Sequence, residues 1–336
     1  MICVGMRYRQ RGATEQLTED IPVTGGGTEA AALLLEREGV LAQLGAALSG
    51  ARSAHGRVVL VEGPAGIGKT QLLNESRDRA RTLGMNVLSA RGGPLERGYG
   101  FGVARQLLES ALAGASGEVD GELLAGAAVL AEPVFSTAAP LPSEGVDATH
   151  SVLHGLYWLV ANLAERSPLL LAVDDVHWAD GPSLRFLLYL ARRVEGMPVA
   201  LLMALRTGEA IAEVQLLRAL RVEAHPPVIK PGALSLRATR TLAAAGLGGE
   251  VSEELGSACH AATRGNPFLL TELLHQLRDG SGEIGPAAVE GMASERIAAA
   301  ILLRVGRLGT PAAERPSDLG ARGVRGPRDR RAAGGP

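Results

Sequence analysis

Apolar positions follow two alternating patterns along the first two thirds of the chain. Val58-Val59-Leu60-Val61, Leu169–Val173 and Val199–Leu205 are short continuous apolar runs. Such runs suit strands buried on both faces of a parallel sheet. Residues 86–90 read as a further strand. Between them the spacing turns helical. From Leu33 to Ser49, Leu34, Leu41, Leu44 and Leu48 fall on one face, and Gly50–Gly56 ends that helix. Lys69 to Thr82 predicts a helix closed by Gly84. Residues 101–165 read as mostly helical, broken by a Pro-rich loop from Pro133 to Pro142, and Leu184–Arg193 as another helix. Strands alternating with helices predict an α/β fold with a parallel sheet. After Pro231 the strand pattern stops. Residues 236–245, 251–263 and 267–279 read as helices, punctuated by Gly246-Leu247-Gly248-Gly249 and Gly265-Asn266-Pro267, and one more helix is expected from Ser294 to Leu308.

Composition changes this picture at both ends. Residues 1–27 are polar, end in Gly25-Gly26-Gly27, and are expected to be a disordered leader. Residues 309–336 carry six arginines among Gly and Pro, with Leu319 and Val324 as the only large aliphatics, and are expected to be a disordered tail. Two readings of the tail stay open: a flexible basic segment for an anionic partner, or a slipped reading frame in GC-rich DNA. The intervening chain divides at about residue 230 into a domain spanning 28–230 and a smaller helical region spanning 231–308.

The chain is 46% apolar and 21% charged, which permits a sizeable core and excludes global disorder. A net charge of -2 argues against a surface built to coat nucleic acid or an anionic membrane. No apolar stretch is long enough to span a bilayer, and the N-terminus lacks the apolar core of a secretory signal. Cys3 and Cys259 are isolated, which fits a reducing, cytoplasmic location better than a disulfide framework or a Cys-based zinc site. Lysine is nearly absent: 34 basic residues include only Lys69 and Lys230. A lysine kept against that background points to a specific role.

Lys69 stands inside Gly63-Pro64-Ala65-Gly66-Ile67-Gly68-Lys69-Thr70, a full match to G-x-x-x-x-G-K-[ST] between a predicted strand and a predicted helix. In this pattern glycines let consecutive backbone N–H groups face one concavity and cradle phosphate oxygens, helped by the helix N-terminus. Lys69 then lies between the β- and γ-phosphates, and Thr70 offers its hydroxyl to Mg²⁺. The alternative, a Gly-rich turn in a Gly-rich protein, accounts for neither the lysine nor the flanking pattern. Leu169–Val173 leads into Asp174-Asp175, a strand ending in two acids. Asp174 would hold Mg²⁺ and Asp175 would polarise the attacking water as general base. Arg206 follows the Val199–Leu205 strand; if that strand lies between the other two, Arg206 can reach the γ-phosphate. A surface arginine is the equal alternative. The expected fold is therefore an α/β P-loop NTPase, a parallel sheet flanked by helices, followed by a small helical lid. ATP or ADP and Mg²⁺ are the expected ligands.

Weaker candidates remain. His150 and His154 are four apart, but no H-E-x-x-H is completed, so zinc is not expected. His177 and Trp178 either wall the nucleotide or pack a loop, and Glu96 could approach the phosphates from the second strand.

Taken in order, GPAGIGKT, LLLAVDDVHWAD, MALRTGE and RGNPFLLTELL resemble the AAA-type, origin-recognition-complex-like ATPase module of large LuxR-family regulators of the STAND class. The likeness runs over about residues 33–308. It implies that Arg37 in LEREGVL lies near the base, that Arg206 is the sensor arginine, and that Pro267 packs against adenine. It implies a cytoplasmic ATPase switch in which nucleotide bridges two domains. Such relatives continue into a winged-helix region, helical repeats and a DNA-binding domain; Ile297–Leu308 resembles the start of that winged-helix region, so 231–308 reads as a helical lid with the start of a winged helix and this chain as a truncated regulator. Direct DNA binding by these residues is not expected, and neither is a membrane partner. Three alternatives are an inert or dominant-negative fragment that self-associates or docks on related ATPase modules, the ATPase module of an adenylyl-cyclase-like protein, and a dedicated ATP-consuming enzyme.

Overall fold

A computed structural model describes residues 34–94, 99–113, 122–136, 146–208, 213–223, 226–279 and 284–292. The expected leader, tail and 294–308 helix, together with Glu96 and Cys3, lie outside the described residues. Five strands, β1 (Arg57–Gly63), β2 (Asn86–Arg91), β3 (Leu169–Asp174), β4 (Val199–Arg206) and β5 (Val228–Ile229), form one sheet in the order β2-β3-β4-β1-β5. Every pairing is parallel.

The three longest apolar runs become β1, β3 and β4, all inside the sheet. Alternate side chains feed two separate cores because successive residues of a strand point to opposite faces. Val59, Val61, Leu170, Ala172, Ala200, Leu202 and Ala204 pack under α1 (Glu38–Arg52) and α2 (Lys69–Thr82). Val58, Leu60, Leu171, Val173, Leu201 and Met203 pack on the opposite face. That face is covered by α3 (Gly102–Ala113), α4 (Val146–Arg166), α5 (Gly181–Ala191) and α6 (Val214–Glu223). The result is a three-layer sandwich whose strand C-termini share one edge.

Local chemistry sets several boundaries. The first helix starts at Glu38 rather than Leu33, because Leu34–Glu36 form a turn in which Glu36 takes φ +58°. Asp180 caps α5, so this helix begins three residues before Leu184. Pro133 does not open a loop; it occupies the first turn of a short helical segment, Glu132–Phe135, where a missing N–H costs nothing. α6 and the two-residue β5 were not anticipated by the sequence pattern.

Beyond β5 all described elements are helices. α7 (Leu236–Leu247) and α8 (Glu253–Thr263) are capped by the Ser235 and Ser252 side chains. They pack with α9 (Pro267–Asp279) around Leu242, Ala243, Cys259, Leu270 and Leu274. Burial pushes the Cys259 thiol above its ordinary pKa, as expected for a core cysteine. The described residues up to Val289 belong to one compact unit. Among the described residues no helix is long and apolar enough to cross a membrane.

Candidate functional site

The site lies where the C-terminal ends of β1, β3 and β4 meet. β4 lies between β1 and β3, the condition Arg206 needed: Arg206 is in register with Gly63, and Thr207 N–H donates to the Gly63 carbonyl at 3.1 Å.

β1 runs directly into the Gly63–Thr70 loop, which turns into α2 at Lys69. Gly66 and Gly68 adopt φ of +79° and +99°, a region closed to most L-residues, so the loop can curl tightly here. Lys69 is buried, with 5% exposure. Its ammonium donates to the carbonyls of Gly63 and Pro64, both at 2.8 Å, and so lies against the loop it would share with a phosphate.

Thr70, at the first turn of α2, donates its hydroxyl to Asp174 Oδ2 at 2.7 Å. The other oxygen of Asp174 accepts the Asp175 N–H at 2.9 Å. A hydroxyl and a carboxylate oxygen within one hydrogen bond are hard donors of the kind Mg²⁺ takes alongside phosphate oxygens. The residues therefore fit the metal. Among the described residues no group of three or more His, Cys, Asp or Glu is arranged to hold a metal without such help.

Asp175 is buried in a left-handed turn at φ +48°. Both its oxygens are engaged by arginines. Arg206 donates through Nε to Oδ1 at 2.9 Å, and Arg91, at the end of β2, donates through Nη2 and Nε to Oδ2 at 2.9 and 3.2 Å. Arg91 escaped the sequence reading. Its only signal was that a strand pairing with β3 must end beside Asp175.

Arg37 precedes α1 and is almost fully buried. Its Nη2 donates to the Gly232 carbonyl at 2.7 Å and more loosely to Ile67 at 3.4 Å. It therefore bridges the loop to the linker leaving β5. Burial lowers its pKa, partly offset by Glu36 and Glu38. Glu36 accepts both the hydroxyl and the N–H of Ser235, and these bonds hold its carboxyl below the ordinary range.

Pro267 opens α9 and is buried, whereas the next residue, Phe268, is exposed. Asn266 Nδ2 donates to the Ala65 carbonyl at 2.9 Å, and Phe268 N–H to the Gly66 carbonyl at 3.2 Å. Gly265 is required here for two reasons: φ is +69°, and an added Cβ would lie 2.2 Å from the Leu234 carbonyl oxygen.

The VDDVHWAD stretch is more structural than it reads. Asp180 accepts N–H bonds from Phe101 and Ser183, both at 2.8 Å, and so ties the start of α3 to that of α5. Asp-Gly-Pro-Ser, a cap followed by proline in the first turn, was the available signal. His177 is fully buried and stacks obliquely on Trp178, which favours loop packing over a nucleotide wall. His154 is taken up by Tyr189 and Trp158 away from this site.

A family model described as AAA ATPase domain matches residues 33–203, just over half of the chain. The chain belongs to the AAA ATPase family. The matched stretch of this AAA domain includes the phosphate loop, Asp174 and Asp175, and ends before Arg206 and α9. A protein of Rhizobium meliloti (strain 1021), described only as uncharacterized, is 32% identical over 196 residues. That alignment covers 53% of this chain and 19% of the relative, so the chain spans about a fifth of the curated protein it matches. A Walker-type ATPase of Pyrococcus abyssi superposes with a TM-score of 0.50 at 14% identity, over 81% of this chain and 75% of that one. A chain of an Escherichia coli HORMA:CdnC:Trip13 complex gives 0.50 at 12% identity, over 82% and 93%. Both likenesses are of fold, and they match the parallel, helix-flanked P-loop NTPase sheet of this AAA domain.

Proposed function

We propose that this AAA domain binds ATP with Mg²⁺ at the Gly63–Thr70 loop, hydrolyses it slowly, and serves as a conformational switch in a LuxR-family, STAND-type signalling regulator. The observation that carries the reading is the Thr70–Asp174 hydrogen bond at 2.7 Å beside a buried lysine, with a second acid, Asp175, one residue on. Gly63 to Gly68 would supply the backbone cradle, Lys69 the cation between β- and γ-phosphates, and Thr70 and Asp174 the metal-facing oxygens. Mg²⁺, when bound, would neutralise charge on the phosphate oxygens.

Asp175 would orient and deprotonate the attacking water. In the geometry described, arginines donate to both its oxygens, and release of one of them would open an oxygen more fully to the water. Arg206 is the natural one to turn toward a γ-phosphate, since it hangs from the strand beside the loop. Such an exchange would make hydrolysis slow, and it would link the phosphate state to the β4 end. Residues 28–230 would form the nucleotide-binding domain and 231–308 a lid. Arg37, Asn266 and the Glu36–Ser235 pair support this coupling, since each joins the loop side to the segment after β5.

The switch reading expects a turnover on the order of 10⁻⁴ to 10⁻² s⁻¹, as for nucleotide switches acting without a partner. Steady-state phosphate release by the purified protein measures it. Turnover of tens per second, dependent on a second substrate, would instead make the chain a dedicated ATP-consuming enzyme.

A further inference from the structure

We propose that Asn266 is a positioning residue for the phosphate loop, one that aims the loop's N–H donors from outside the site. The inference rests on reading Gly63–Thr70 as a phosphate cradle and goes beyond it, because α9 then becomes part of the cradle's construction.

Three consecutive peptide groups of the loop are held from behind through their carbonyls. The Ala65 carbonyl accepts Asn266 Nδ2 at 2.9 Å, the Gly66 carbonyl accepts Phe268 N–H at 3.2 Å, and the Ile67 carbonyl accepts Arg37 Nη2 at 3.4 Å. In a planar trans peptide the C=O and the following N–H point in opposite directions. Anchoring these carbonyls on the outer side turns the N–H groups of Gly66, Ile67 and Gly68 inward, toward the concavity. Donors fixed this way need no reorganisation when an anion arrives.

Asn266 is the centre of the arrangement. Its amide nitrogen reaches the loop, while its Oδ1 accepts the N–H groups of Phe268 and Leu269 at 3.1 and 3.3 Å, capping α9. One side chain therefore fixes the helix start and the loop together. Gly66 fits only because it has no side chain: an added Cβ would lie 2.7 Å from Asn266 Oδ1 and 2.9 Å from Phe268 Cβ. The close approach also means that displacing α9 frees two of the three anchors at once.

The test separates cap from donor. Asn266→Ser keeps a neutral helix cap but has no amide to reach Ala65. Affinities for ATP, ADP and tripolyphosphate are measured by calorimetric titration. The expected result is a loss of about tenfold, equal for all three ligands, in a variant that remains folded with a melting temperature lowered by a few degrees at most. A purely structural role would not give a loss that follows the phosphates alone. In parallel, ¹⁵N order parameters of Gly66 and Ile67 in the ligand-free protein should fall relative to wild type. Should the serine variant fail to fold, Asn266→Asp keeps a stronger cap, removes the donor, and should weaken all three ligands by more than tenfold. Wild-type affinities together with unchanged order parameters in a folded variant would overturn the proposal. A wild-type protein that binds neither ATP nor tripolyphosphate would overturn the reading of the loop, and the order parameters would still decide what Asn266 does.

Discussion

Lys69→Ala is expected to abolish measurable ATP binding while leaving the fold intact. The ammonium is buried against the loop and donates to the backbone carbonyls of Gly63 and Pro64 at 2.8 Å, contacts a phosphate can take over. Charge-assisted hydrogen bonds contribute roughly 1.5–3 kcal/mol each, so losing two costs about 10²- to 10⁴-fold in affinity. Lys230, the other lysine, follows β5 and makes none of these bonds, so the effect belongs to one position. Titration with Mg-ATP, with circular dichroism as the folding control, measures it. Retained affinity in a folded variant would remove the loop from the account.

Asp175→Asn should behave in the opposite way. Asp174 keeps Thr70, and the loop is untouched, so ATP affinity should stay within about threefold. The amide cannot take a proton from water, and positioned acid–base groups contribute roughly 10² to 10⁴ in rate. Single-turnover phosphate release should fall by that factor. The substitution also leaves Arg91 and Arg206 without their shared carboxylate, so some loss of stability is expected alongside. An unchanged rate would mean that another group activates the water.

β1, β3 and β4 were legible because strands buried on both faces must be apolar throughout, and the glycine–lysine loop was legible because its chemistry is local. Asp174 and Thr70 could be paired on spacing and type alone. The place of β4 between them is a matter of topology, and no periodicity records it. Arg91 illustrates the same limit, for its meaning appears only when β2 lies against β3. Asn266 was visible as helix punctuation, but the reach of its amide to Ala65 spans 201 residues of sequence. The amphipathic α6 was overlooked because its apolar face is short and interleaved with arginines. Asp180 was absorbed into an ATPase signature when its bonds tie two helix starts together.

In the proposed function Gly63–Thr70, Asp174 and the start of α9 together make one nucleotide site. One portion of the purified protein is denatured and what it releases is identified by chromatography; a second, native portion is stripped of nucleotide by dialysis and titrated with Mg-ATP. ADP or ATP released near one per chain, or one Mg-ATP taken up per chain on titration, is the expected result. A folded protein that releases nothing and takes up no Mg-ATP would contradict it.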